Sequence, residues 1–140
     1  MTRRAFGEAG WHVVIHHGGS QAEAEALAAE LPSAECVQCD LADGDAAGAM
    51  AEALAGRLGD WRVLVNCAAI FREDTAQALD PALFAETMQV NAASPVRLAQ
   101  IFLAKARAKG GRRETEFVRR FDAHRALRRG LLRLVASVAD

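Results

Sequence analysis

VLVNCAAI, residues 63–70, decides how the chain is read. Three residues of branched apolar character, preceded by Trp61 and Arg62, break abruptly into Asn66, Cys67 and two alanines. A short β-branched run bounded by polar residues is the mark of a buried strand in a parallel sheet. It ends on an amide, and a buried amide needs partners for its oxygen and its nitrogen. What Asn66 is for is therefore the first question the sequence poses.

Working outward from that run, two further strand-like segments precede it, WHVVIH at 11–16 and ECVQC at 35–39, with alanine-rich stretches of helical spacing between. Alternation of this kind predicts βαβ units around a parallel sheet. Gly10 is placed to cap a helix over 3–9. Ser20 and Glu23 form a candidate capping box for a helix over 21–31, which Pro32 stops. Asp43 caps a helix over 44–58 in which Met50, Leu54 and Leu58 stack at four-residue spacing. Asp80-Pro81 opens helical character that runs to Lys109, interrupted at Pro95, which cannot donate to the carbonyl of Asn91. A kink with an unpaired carbonyl is expected there, and the helices over 81–109 are expected on the opposite sheet face from those over 21–31 and 44–58.

The chain has 140 residues, about one domain's worth, and is half apolar and a quarter charged, which excludes a disordered chain. No apolar run approaches the roughly 18 residues that span a bilayer, and MTRRAFGEAG lacks the apolar core of a signal peptide. A cytoplasmic location follows as the expectation, with no membrane partner. Three cysteines, an odd number, argue against a disulfide framework. Cys36 and Cys39 are spaced C-x-x-C, but no second ligand pair accompanies them and they lie within a strand-like run.

Charge divides the chain near Gly110-Gly111. Residues 1–111 carry 14 acidic and 9 basic side chains, and residues 112–140 carry 4 acidic and 8 basic, all arginine. Past 111 no strand is evident; a basic amphipathic helix from about Glu114 to Gly130 is expected, with LLRLVASV (131–138) ambiguous between helix and strand. The domain reading is accordingly 1–111 as a partial dinucleotide-binding unit and 112–140 as an arginine-rich helical tail.

Asp40-Leu41 after the second strand-like run, Asn66-Cys67-Ala68-Ala69 after the third, and VNAASPVRLAQ at 90–100 together resemble the short-chain dehydrogenase/reductase family, and IHHGGS…AEAEAL most resembles its pteridine-reductase-type members. The resemblance covers residues 3 to about 110. It implies an α/β, three-layer Rossmann fold with strand order 3-2-1-4-5-6, in which the runs at 11–16, 35–39 and 61–66 take the second, third and fourth places. The first strand and the C-terminal strands would be lacking. It further implies that Asp40 accepts from the adenine amino group, that Leu41 lines the adenine slot, and that Asn66, Cys67 and Ala68 lie against the ribose and nicotinamide. Asn91 matches the family's catalytic asparagine, whose carbonyl holds a water of the proton relay.

Chemistry sets the cofactor. A carboxylate at the end of the second strand binds the ribose 2′-hydroxyl of NAD and repels a 2′-phosphate. Between Trp11 and Ala22 there is no acid; His16, His17 and Ser20 stand there, so NADP is the expected cofactor, with His17 and Ser20 as candidate contacts. The substrate class implied by the resemblance is a small carbonyl compound or a pterin.

Departures from the family are as informative. The sequence contains no tyrosine, and the family's proton donor is a Tyr followed four residues later by a Lys. The glycine-rich turn TGxxxGxG is absent as well, so weak cofactor binding and no turnover are expected of this chain. One explanation is a shifted reading frame beyond residue 111. A second reading is a non-catalytic module whose arginine-rich helix contacts nucleic acid or an acidic partner, although the slight overall acidity and the lack of a nucleic-acid motif argue against nucleic acid. A third is a subunit that completes itself with another chain, through a homo-oligomer formed by helix 81–109.

Overall fold

The computed structural model describes residues 9–73, 75–106 and 114–117. Strand β1 (Val13–His17) pairs in parallel with β2 (Ala34–Gln38), from Val13 opposite Ala34 to His17 opposite Gln38. Strand β3 (Val63–Asn66) pairs in parallel with β4 (Glu114–Phe117), from Val63 opposite Glu114 to Asn66 opposite Phe117. Helix α1 (Gln21–Ala29) joins β1 to β2, and α2 (Gly44–Arg57) joins β2 to β3. Helix α3 (Pro81–Met88), a widened π-turn (Gln89–Ala93) and α4 (Ser94–Lys105) follow in one continuous run. Among the described residues the two ladders are not hydrogen-bonded to each other.

Strand β4 corrects the sequence reading. Residues 114–117 were expected to begin a helix, and they are instead a strand placed where the βαβ alternation calls for one. Its two glutamates obscured it, because a four-residue strand is too short for its period to compete with the helical spacing around it. The helical expectation for 118–130, the ambiguity over 131–138 and the helix over 3–8 lie outside the described residues. Gly10, at φ +80, does adopt the left-handed conformation that suits the residue after a helix end.

The helix faces are also distributed differently from the expected pattern. The sequence suggested α1 and α2 on one face and the long C-terminal helices on the other. In the fold, α2 packs on α4, and Leu54, Leu58 and Met50 share a core with Val14, Leu64, Val90, Leu98 and Phe102. Helix α1 covers the other face with Ala24 and Leu27 against Val13 and Ile15. Handedness is the reason. Right-handed crossovers change face when the chain reverses direction across the sheet, and the reversal falls at the β2-to-β3 connection, so α2 lies with the helices that follow it.

Caps mark which sequence signals were strong. The Asp43 carboxylate accepts from the Asp45 and Ala46 amides at 3.0 and 2.9 Å, and Asp80 accepts from Ala82 and Leu83 at 2.9 and 3.3 Å. Both residues have extended backbones (ψ 101 and 111) that aim the side chain at the first turn. Ser20 precedes α1 with ψ 57, outside that region, and its hydroxyl makes no cap bond, so the expected capping box is not formed. Helix α1 ends at Ala29, two residues early, where Glu30 and Leu31 tighten to bonds with Leu27 and Ala28 ahead of Pro32.

Trp61 and Phe102, both fully buried, anchor β3 to α4. Their rings meet edge to face at 5.0 Å and 62°, and the indole donates to the Val63 carbonyl at 2.9 Å. No helix among the described residues is long and apolar enough to cross a membrane.

Candidate functional site

Polar groups gather at the strand C-termini, where a parallel sheet exposes its ligand crevice. At the end of β1, His16 and His17 are buried. His16 Nε2 lies 2.8 Å from the Cys39 carbonyl oxygen. A carbonyl only accepts, so Nε2 carries the proton and Nδ1 is left as an acceptor. Burial pushes the His16 pKa down to about 4, outweighing the Cys39 hydrogen bond. The ring is therefore neutral at physiological pH and is not a cationic phosphate contact. Nδ1 of His16 and Nδ1 of His17 are both buried without a hydrogen-bond partner among the described residues.

Beyond β2, the Asp40 carboxylate accepts from the Ala42 amide at 2.9 Å, and the Asp40 carbonyl accepts from the Asp43 amide at 3.2 Å. Asp40 thus shapes its own turn, while its side chain remains exposed. Leu41 is buried, and its carbonyl accepts from the Ser94 hydroxyl at 2.7 Å. Sequence reasoning missed Ser94. The signal was a serine three residues after Asn91 on a face otherwise filled by Val90, Leu98 and Ile101, where a hydroxyl needs a buried acceptor.

At the end of β3, Asn66 is 7% exposed, and neither its amide oxygen nor its amide nitrogen has a partner among the described residues. Cys67 packs with Val63 and Val65 on one face, while Ala68 and Ile70 pack against the α2–α4 core. Asn91 stands above this loop. Its Oδ1 accepts from the Ile70 amide and its Nδ2 donates to the Ile70 carbonyl, both at 2.8 Å, the paired pattern of a neighbouring strand. The expected kink at Pro95 is absorbed by the π-turn. Its bond from the Ser94 amide to the Gln89 carbonyl widens the helix by one residue, and Pro95 falls in the first turn of α4, where no donor is required.

His16, His17, Asp40, Leu41, Asn66, Cys67, Ala68 and Asn91 thus lie on strand ends, the loops that follow them and the turn above. Ser20 sits just beyond β1 at the start of α1. The cysteine pair is divided: Cys36 packs with the α1 face and Cys39 with the α2–α4 face. Burial and nearby acids (Glu25 and Glu35 for Cys36, Asp40 and Asp43 for Cys39) push both thiols up, which keeps them protonated. No cluster fit to hold a metal occurs among the described residues.

A doubly wound α/β sheet with its buried polar groups at the strand ends defines a Rossmann-like dinucleotide-binding fold. The family model described as enoyl-(acyl carrier protein) reductase matches residues 2–115. The chain belongs to that family, the short-chain dehydrogenases/reductases. It is 32% identical over 111 residues to the dehydrogenase/reductase SDR family member FEY of Arabidopsis thaliana, covering 73% of this chain and 30% of that protein. Among solved structures it is similar to FolM alternative dihydrofolate reductase 1 from Brucella canis complexed with NADP, at 34% identity and a TM-score of 0.66, over 74% of this chain and 42% of that one. A short-chain dehydrogenase from Burkholderia cenocepacia in complex with NADP aligns at 25% identity and a TM-score of 0.68, over 74% and 44%. The chain therefore spans less than half the length of these relatives.

Proposed function

We propose that these residues form the cofactor edges of an NADP-dependent reductase acting on a small carbonyl or pterin substrate. The observation that carries this is Asn66, whose buried amide has both hydrogen-bonding atoms unpartnered among the described residues, at the C-terminal end of β3. A buried primary amide left this way costs about 1–3 kcal/mol, and a ribose or carboxamide edge offers both a donor and an acceptor. Asp40 and Leu41 would hold the adenine end, Asn66, Cys67 and Ala68 the ribose and nicotinamide end, and His17 and Ser20 the region of the 2′-phosphate. Bound NADPH would supply the hydride. The absence of acid between Trp11 and Ala22 supports NADP over NAD. The FolM relatives, solved with NADP, support the pterin class.

Reduction of a carbonyl also needs a proton for the developing alkoxide, and general acid catalysis contributes roughly 10² to 10⁴ in rate. With no tyrosine in the sequence, the 140-residue chain on its own is expected not to turn over. Asn91 would serve the relay only beside such a donor. Phe84, Met88, Val96 and Leu103 lie exposed along α3 and α4, and they support self-association through these helices.

Calorimetry of the pure chain with NADPH and NADH tests the reading. NADPH is expected to bind, weakly, at least about tenfold tighter than NADH; equal binding or an NADH preference would overturn the cofactor assignment. An absorbance assay against pteridines, quinones and simple ketones tests the inactivity, and measurable turnover would refute it.

A further inference from the structure

We infer that the π-turn Gln89–Ala93 is a two-sided clamp that ties the loop after β2 to the loop after β3, with Gln89 and Ser94 as positioning residues on one side and Asn91 on the other. The inference rests on the NADP reading only for what the loops would hold. The clamp itself is built from contacts within the chain.

On the first side, the Ser94 hydroxyl is fully buried and donates to the Leu41 carbonyl at 2.7 Å, across 53 residues of sequence. Gln89 Nε2 donates to the Ser94 oxygen at 2.9 Å. The same nitrogen lies against Gly44, the first residue of α2, so closely that a Cβ there would stand 2.8 Å from it. Leu41 and Gly44 bracket the turn that Asp40 closes on itself. A side chain at position 44 would push the Gln89 amide off Ser94, so glycine there leaves Gln89 the room it occupies. On the second side, Asn91 holds Ile70 by both backbone atoms.

The widened turn makes these contacts compatible. In an α-helix, residues five apart diverge by about 140° around the axis, so Gln89 could not reach Ser94. The i-to-i+5 geometry of a π-turn brings such a pair onto one side. Asn91, two residues on, then faces another way and meets the other loop. One inserted residue lets a single turn grip the adenine-side loop and the nicotinamide-side loop together, which fixes their separation.

Hydrogen–deuterium exchange on the whole chain tests this. Ser94→Ala is expected to speed exchange at residues 41–46 by about tenfold and to speed the Ile70 amide as well, with α1 on the other sheet face unchanged. Gln89→Met, which spares the buried hydroxyl, should give the same pattern more weakly. Asn91→Leu should speed Ile70 and, through the shared turn, residues 41–46. Effects confined to the loop on the substituted side would overturn the clamp. A uniform rise that includes α1 would also overturn it, because it would mean general destabilisation. Titration with 2′,5′-ADP separates the two readings. Protection of both loops in the parent chain that Ser94→Ala limits to residues 41–46 supports the clamp with the NADP assignment. No protection at all sinks the NADP assignment, while the ligand-free exchange still decides the clamp.

Discussion

Acidification should destabilise the fold through His16, by an amount the site itself sets. The ring is 2% exposed, and its pKa falls from 6.5 to about 4, chiefly because burial penalises the cation and secondarily because His17 lies beside it. The Cys39 carbonyl and Asp40 pull the other way and are outweighed. In the unfolded chain the imidazole takes up a proton below about pH 6.5, and in the folded chain only below about 4. Between those values the unfolded state binds more protons, so stability falls as pH falls, at up to about 1.4 kcal/mol per pH unit. From pH 7 to pH 5 the loss attributable to His16 is about 2 kcal/mol, a shift in urea midpoint on the order of 1 M. His16→Gln keeps an N–H for the Cys39 carbonyl and cannot titrate. Urea unfolding of both chains at pH 7, 6 and 5 isolates the effect from the carboxylates that titrate in common. The parent should lose about 2 kcal/mol more than the variant. Parallel losses would show that His16 is charged in the folded state and that the burial argument is wrong.

Three further outcomes follow from the packing. Phe102→Ala removes the ring that meets Trp61 at 5.0 Å and should cost about 3–5 kcal/mol, enough to unfold much of the chain by circular dichroism, whereas the exposed Leu103→Ala should change stability by less than about 0.5 kcal/mol. Asn91→Leu leaves both backbone groups of Ile70 without their side-chain partner and should cost about 1–3 kcal/mol in thermal or urea unfolding, with Asn91→Asp, which keeps only the acceptor, in between. Met88→Glu places a charge in the exposed apolar stripe of α3 and α4; light scattering should show a smaller assembly than the parent at equal concentration, and an unchanged mass would remove these helices as the contact.

The sequence was most legible where one residue type has one physical use. Aspartates followed by helical runs cap as expected at 43 and 80, and β-branched runs at 13–17 and 63–66 are buried strands. Ser20 failed as a cap because the backbone angle that aims its hydroxyl is set by the loop leaving β1, which side-chain identity does not encode. Helix faces were misplaced because crossover handedness acts on strand order, a property of the whole sheet. Strand β4 was hidden by its charges. Of the site, the strand-end residues could be named from motif resemblance, but Ser94 and Gln89 could not. Their partners, Leu41 and Gly44, are far away in sequence, and the π-turn that brings Gln89 and Ser94 together has no period of its own to read.

Packing and polar contacts divide the labour of holding the two ladders together. Val14 of β1 and Leu64 of β3 enter one cluster with Leu54, Leu98 and Phe102, so the ladders share a roof without pairing to each other among the described residues. Burial of such side chains stabilises by about 1.5–3 kcal/mol each, but it is non-directional and fixes neither the height nor the twist of a strand end. Direction comes from hydrogen bonds, and four of them reach the loops that follow β2 and β3: His16 to the Cys39 carbonyl, Ser94 to the Leu41 carbonyl, and the pair between Asn91 and Ile70. These contacts are accounted for by the fold alone. Asn66 is not, because its amide is equally buried and contributes to none of these contacts. Ser94 is paired and His16 leaves only Nδ1 open, whereas both hydrogen-bonding atoms of the Asn66 amide lack a partner among the described residues, and for that reason the functional reading rests on Asn66.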